Sequence, residues 1–149
     1  EKRPVKEVDY GYVGDVKAVN ASVLANLIRQ GIVPVMAPLT HDGAGSMLNT
    51  NADTIAGETA KALAEEFDVT LVYCFEKKGV LRDENDDDSV IPVITPELFE
   101  QYVSDGIIQG GMIPKLENSF SAVEAGVSQV VITQASAIHR QEGTVIRKK

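Results

Sequence analysis

Short apolar runs alternate with amphipathic segments along most of the chain. The runs at residues 32–37, 69–75 and 129–133 are brief and rich in β-branched residues, as expected for strands buried on both faces of a parallel sheet. The segments between them repeat their apolar residues at helical spacing. This alternation predicts an α/β fold in which a mostly parallel β-sheet is sandwiched between helices.

Residues that start and stop helices bound the amphipathic segments. Asn20 and Thr95 are predicted N-caps, and Gly31 and Gly106 are predicted to end the helices that these caps begin. A longer amphipathic helix is predicted from Ala52 onward. Two further short strands are predicted at residues 90–94 and 143–146.

The chain is acidic, and its charge limits the partners that it can bind. The 149 residues include 22 acidic and 14 basic ones, which gives a formal net charge of −8. A negative surface opposes binding to a phosphate backbone, so the composition argues against nucleic acid as a ligand. The length is typical of one domain, and we expect residues 1–149 to form a single domain.

Cysteine content and hydropathy indicate the compartment. Cys74 is the sole cysteine, so an internal disulfide is excluded, and no Cys/His cluster has the spacing of a zinc site. No apolar run approaches the roughly 18 residues that cross a bilayer, and the charged opening leads into no signal segment. We therefore expect a cytoplasmic protein without a membrane anchor.

Amide and carboxylate side chains cluster where a Gly-containing loop, residues 38–46, gives way to the helix predicted from Ala52. Asp53 can act as an N-cap or a first-turn acid, and it can also hold a lysine ammonium in place. Asn49 can bind a ligand, although an Asx-turn explains it equally well. The residues alone leave these alternatives open.

A lysine follows a glycine pair at another predicted helix start. Gly110 and Gly111 precede Pro114 and Lys115 in a segment whose apolar stripe continues into a helix. The amino-terminal end of a helix carries partial positive charge and favours anions, so a cation there indicates a nearby negative group. Glycines that let backbone amides approach an anion are typical of phosphate sites. The alternative is a surface lysine at a helix start.

Other patterns do not support a site. The acid-rich residues 83–88 lack the central Gly and the final Glu of a calcium loop, and Walker-type spacing is absent. His41 and His139 are interpreted as surface residues, and Cys74 as a small buried apolar residue. No metal-ligating residues are assigned.

Four motifs in this order resemble those of the acetylglutamate kinases, a group within the amino acid kinase family. They lie at residues 11–20, 34–38, 49–53 and 110–115. The resemblance runs through nearly all of the chain and covers the nucleotide-binding carboxyl-terminal portion of such a kinase. The amino-terminal, amino-acid-binding half is expected to be absent from this chain. The sequence departs from the usual Thr/Ser-Asp-Val-Asp/Ser-Gly turn, since Phe75 and Glu76 are followed by two lysines and Gly79.

The resemblance implies roles for particular residues. Lys115 would be catalytic and act on the transferring phosphoryl group, Asp53 would orient the catalytic lysines, and Asn49 would bind the amino acid substrate. Nucleotide contacts are implied for Glu76, Lys77, Lys78, Gly79, Val80, Leu81, Ile107, Ile108 and Gln109. The two lysines of this set depart from the family pattern, although their charge suits phosphates.

The same resemblance implies an activity and partners. The complete protein would use ATP, with Mg²⁺ carried by the nucleotide, to phosphorylate the side-chain carboxylate of N-acetyl-L-glutamate in arginine biosynthesis. It would form a homodimer or a larger homo-oligomer, and the isolated piece would bind nucleotide but turn over poorly. Alternatives are an N-succinylglutamate kinase, another carboxylate kinase of the family, or a non-catalytic domain that binds a nucleotide or effector.

Overall fold

The structure is a computed structural model that describes residues 1–140 and 142–148. The Cα positions divide into two compact units, Glu1–Glu66 and Phe67–Lys149. The single domain expected from the length therefore stays a prediction, and each unit is described by itself.

The first unit contains two helices and a β-hairpin. Its elements are α1 (Ala21–Arg29), β1 (Leu39–His41), β2 (Met47–Asn49) and α2 (Ala52–Leu63). As predicted, α1 begins after Asn20, whose side chain accepts a hydrogen bond from the Val23 amide at 3.3 Å. The chain leaves α1 at Gly31, whose φ of +78° suits a helix end.

Strand β1 replaces the first part of the loop predicted at residues 38–46, and residues 42–46 form the turn of a hairpin with β2. The two strands are antiparallel, with Leu39 opposite Asn49. Asp42 closes the turn because its carboxylate accepts hydrogen bonds from the amides of Ala44 at 2.7 Å and Ser46 at 3.1 Å. These backbone hydrogen bonds hold the pKa of Asp42 below its usual value. Because of the glycines in the turn, the segment was predicted as a loop, and the strands on either side of the turn were missed.

The prediction of a buried strand at residues 32–37 is wrong. The segment belongs to no strand, and the side chains of Val33 and Val35 are 83% and 94% exposed. An apolar run becomes a buried strand when neighbouring strands satisfy its backbone groups and a second layer covers its side chains. The described residues of the first unit supply neither.

The segment that precedes α1 packs closely on the hairpin. Gly14 donates its amide hydrogen to the carbonyl oxygen of Asn49 at 2.9 Å, and the Thr50 hydroxyl donates to the Gly14 carbonyl at 3.0 Å. A Cβ atom on Gly14 would lie 2.7 Å from Cδ1 of Leu48, whose side chain is fully buried. Gly14, which lies far from α2 in sequence, thus holds the residues directly before α2 in place.

Gly14→Ala is expected to destabilise the protein by about 1–3 kcal/mol, because the added methyl group overpacks the site of Leu48. Urea unfolding of the full-length protein measures this change. The double variant Gly14→Ala/Leu48→Ala supplies the control, since it removes the contact with Cδ1 of Leu48 and leaves only the one with its Cβ atom at 2.8 Å, so its two substitutions should be less than additive. Full additivity would contradict the packing argument.

The second unit contains a four-stranded sheet with helices packed against it. Its elements are β3 (Thr70–Phe75), β4 (Val93–Ile94), α3 (Pro96–Ser104), α4 (Met112–Glu124), β5 (Gln129–Gln134), a 3₁₀ helix (Ala135–Arg140) and β6 (Thr144–Ile146). The strand order is β3-β5-β6-β4, with parallel pairs β3/β5 and β4/β6 and an antiparallel pair β5/β6. The predicted α/β class with a mostly parallel sheet is confirmed.

Strand β3 is buried on one face rather than on two. Leu71 and Tyr73 point into the core, whereas Val72 and Cys74 are exposed. The interpretation of Cys74 as a buried residue is therefore wrong, because the side chains of β3 alternate between the two faces of the sheet and Cys74 lies on the exposed face. His41 and His139 are exposed, as predicted.

Within the described residues, no helix has the length and apolar character that a membrane crossing requires.

Candidate functional site

Helix α4 starts at an open glycine pair. Gly111 is the N-cap and supplies no side-chain hydrogen bond, and Gly110 has a φ of +54°. A Cβ atom on either glycine would have nothing within 4 Å, among the atoms described. Packing therefore does not require a glycine at position 111, whose φ of −68° suits any residue. The open space lets an anion reach the backbone at the positive end of α4.

Lys115 lies next to this opening. It is the fourth residue of α4 and is half-buried. The turn that carries it is anchored by Leu116, which is fully buried, and by Ser119, whose hydroxyl donates to the Lys115 carbonyl oxygen at 2.8 Å. Its ammonium nitrogen lies 3.7 Å from the ring centroid of Phe75 at the end of β3. The carboxyl end of β3 and the first turns of α4 thus lie next to each other.

The segment predicted to wrap a nucleotide, residues 76–81, has two different parts. Glu76 and Lys77 are exposed and Lys78 is half-buried, whereas Val80 and Leu81 are core residues. A nucleotide could therefore contact the side chains of the first three residues, but would contact the last two through their backbone.

Thr144 fixes the buried part of this segment. Its hydroxyl accepts a hydrogen bond from the Val80 amide at 2.8 Å and donates one to the Ile91 carbonyl at 2.7 Å. Gly79 allows this contact, since a Cβ atom there would lie 2.8 Å from the Thr144 hydroxyl oxygen. The sequence predicted the strand that holds Thr144 but gave no sign of this role.

The two lysines of the segment are paired with the acid-rich loop. Nζ of Lys77 lies 2.8 Å from Asp87, and Nζ of Lys78 lies 3.3 Å from Asp88. The hydrogen bond from Lys77, together with its charge, lowers the pKa of Asp87, and the same bond raises the pKa of Lys77. Both pairs are exposed, and such pairs contribute little to stability. Phosphate oxygens could replace the carboxylates.

The second predicted nucleotide segment, residues 107–109, is a tight turn after α3. The amides of Ile107 and Ile108 both donate to the Tyr102 carbonyl, at 2.9 and 3.1 Å, and the Gln109 side chain donates to the Gly106 carbonyl. Ile108 is 2% exposed and belongs to the core. Ile107 and Gln109 are the members of this segment whose side chains can reach a ligand.

Asn49 and Asp53 lie in the first unit. Asn49 is exposed on β2 and, within the described residues, its side chain forms no hydrogen bond, so the Asx-turn is not seen. Asn51 is the N-cap of α2, because its side chain accepts from the Thr54 amide at 3.0 Å. Asp53 is therefore a first-turn acid. The pairing of Asp53 with Lys115 stays a prediction.

An open glycine pair and a lysine at a helix start, beside the end of a parallel strand, are features found in α/β proteins that bind phosphate. The sequence matches the profile of the amino acid kinase family over residues 2–134. The chain belongs to this family.

Curated relatives share most of this sequence. The acetylglutamate kinase of Phocaeicola vulgatus is 84% identical over 147 residues, which cover 99% of this chain and 57% of that protein. The acetylglutamate kinase of Bacteroides thetaiotaomicron is 79% identical with the same coverage. The chain thus spans 57% of the length of these relatives.

Solved structures share the fold. The protein smu.665 from Streptococcus mutans is 34% identical, with a TM-score of 0.76 over 99% of this chain and 56% of that one. A carbamate kinase from Giardia lamblia, bound to AMP-PNP, is 18% identical with a TM-score of 0.63, over 90% of this chain and 51% of that one. At that identity the likeness concerns the fold alone.

Proposed function

We propose that this chain is the nucleotide-binding part of a cytoplasmic enzyme of arginine biosynthesis. The enzyme transfers the γ-phosphoryl group of ATP to the side-chain carboxylate of N-acetyl-L-glutamate and forms an acyl phosphate. The names of the curated relatives support this substrate. The homo-oligomer implied by the family resemblance remains part of the proposal.

The observation that carries the proposal is the start of α4. Gly110 and Gly111 leave the backbone open to an anion, and Lys115 adds a full positive charge beside it. Phosphoryl transfer needs positioning and positive charge on the transferring oxygens more than it needs covalent chemistry from the protein. These residues meet that need, with Lys115 as the catalytic lysine.

The remaining roles follow the family resemblance. Asp53 orients the catalytic lysines, and Asn49 binds the amino acid substrate. The attacking carboxylate is already ionised at neutral pH, so no general base is required.

The enzyme is expected to use Mg²⁺ carried by the nucleotide. Mg²⁺ usually binds through substrate phosphates and few protein carboxylates. It would neutralise charge on the phosphate oxygens.

A substrate test of the full-length protein decides the activity. We expect ATP-dependent formation of acyl phosphate, trapped as the hydroxamate, with N-acetyl-L-glutamate. N-succinyl-L-glutamate and free glutamate serve as comparison substrates. A preference for N-succinyl-L-glutamate would show that the acyl group of the substrate is succinyl and not acetyl. A lack of turnover with every carboxylate would contradict the proposal.

Gly111→Ala tests the phosphate approach. The methyl group should obstruct the open face and raise the KM for ATP roughly 10-fold, since backbone hydrogen bonds to a charged phosphate are strong. Stability should stay within about 0.5 kcal/mol of the parent, because the conformation suits alanine and the space is empty. Steady-state kinetics and urea unfolding of the full-length protein measure the two effects.

The matched control is Gly31→Ala, since Gly31 also has an open face but lies outside the candidate site. Its KM for ATP should equal that of the parent. An unchanged KM in Gly111→Ala would remove the glycine pair from the site.

A further inference from the structure

Phe75 is held in a fixed orientation at the end of β3. Its ring stacks on that of Tyr73, with centroids 5.9 Å apart and an angle of 17° between the planes. Tyr73 is buried and Phe75 is half-buried, and the two side chains lie on the same face of the strand. The core therefore fixes the ring through its neighbour.

The Phe75 ring also contacts Lys115. Nζ of Lys115 lies 3.7 Å from the ring centroid, well within the range of a cation–π contact. Within the described residues of the second unit, Lys115 forms no ion pair with a carboxylate. The positive end of α4 repels this ammonium, and the negative face of the ring offsets part of that repulsion.

An aromatic partner differs from an acidic one in its effect on the lysine charge. A carboxylate in the place of the ring would add a negative charge that competes with a phosphate for the ammonium, beyond the charge of Asp53, which the proposed function assigns to orienting the lysine. A ring holds the ammonium in place but leaves its net charge available. The lysines of the neighbouring segment, Lys77 and Lys78, instead pair with aspartates.

We propose that Phe75 is a positioning residue that holds the Lys115 ammonium beside the open start of α4 until a phosphate group takes it. This role rests on the proposed function, in which Lys115 acts on the transferring phosphoryl group. Charge-assisted hydrogen bonds to a phosphate are stronger than a partly exposed cation–π contact, so the nucleotide displaces the ring. A lysine held this way has already lost much of its side-chain freedom before the nucleotide binds.

Kinetics of the full-length protein test the role. Phe75→Leu keeps an apolar side chain but removes the ring, and should lower kcat/KM for ATP roughly 3- to 10-fold. Phe75→Tyr keeps the ring and should restore the parent value to within about twofold. Phe120→Leu is the matched control, because it removes a half-buried ring from α4 that packs against Phe99. This control should leave kcat/KM unchanged.

A spectroscopic measurement tests the contact without activity. Protons on the Lys115 side chain should resonate upfield in nucleotide-free protein labelled with ¹³C-lysine, because they lie over the ring face. Lys115→Met assigns the signal. The shift should persist in Phe75→Tyr and Phe120→Leu, disappear in Phe75→Leu, and disappear from the parent when an unreactive ATP analogue binds.

The possible results separate the two proposals. An unshifted lysine signal in the parent, or an unchanged kcat/KM in Phe75→Leu, overturns the positioning role. If the protein phosphorylates no carboxylate, both the proposed function and the positioning role are overturned. A shifted lysine signal would then still show that Lys115 contacts the Phe75 ring.

Discussion

Replacing Lys115 by methionine in the full-length protein is expected to lower kcat roughly 10²- to 10³-fold, the usual effect of removing one group that stabilises developing charge. Methionine keeps the length and apolar stem of the side chain but removes the ammonium. Because phosphoryl transfer relies on positive charge at the transferring oxygens, the loss should appear in kcat more than in KM. Single-turnover kinetics with saturating ATP measure the chemical step.

Lys61→Met is the matched control for this substitution. Lys61 is also a helical lysine with a largely covered side chain, and it pairs with Glu58 on α2. Its loss should leave kcat unchanged. A kcat within about threefold of the parent in Lys115→Met would rule out the catalytic role, since one good charge contact contributes far more than that.

Gly143→Ala is expected to destabilise the protein by about 3 kcal/mol or more, from backbone strain and overpacking together. Gly143 has a φ of +139°, which side chains rarely adopt, and it precedes β6 in the sheet. A Cβ atom there would lie 2.4 Å from the Ile132 carbonyl oxygen, which is backbone and cannot move aside as a side chain can. Urea unfolding of the full-length protein measures the loss.

Gly31→Ala separates the two causes of that loss. Gly31 also has a positive φ, of +78°, but a Cβ atom there would have nothing within 4 Å. It should cost about 1 kcal/mol, which is the backbone strain alone. Equal losses in the two variants would show that the contact with Ile132 contributes nothing.

Several elements could be predicted because their signals are local. Caps such as Asn20 and Thr95 satisfy amides three residues away, so the sequence nearby determines where α1 and α3 begin. Strands β3, β5 and β6 were predicted from short runs of β-branched residues. The hairpin of β1 and β2 was missed, because each strand has three residues and a glycine-rich turn lies between them.

The candidate site could be predicted in part. The glycine pair and Lys115 lie close together in the sequence, so the sequence alone indicated an anion site there. Phe75 and Thr144 were missed as site residues, since their contacts join segments that lie far apart in the chain. Val80 and Ile108 matched the family pattern, yet their burial decides that a nucleotide would contact them through the backbone.

The sequence by itself determined the α/β class, the bounds of α1 and α3 and the residues that carry charge at the start of α4. Hydrophobic periodicity, helix caps and glycines act on structure within a few residues, so their effects can be predicted from the sequence. The tertiary structure decided which apolar runs are buried, because burial depends on partners from elsewhere. Residues 32–37 have the composition of a buried strand and lie exposed, whereas Lys115 gains an aromatic partner on β3.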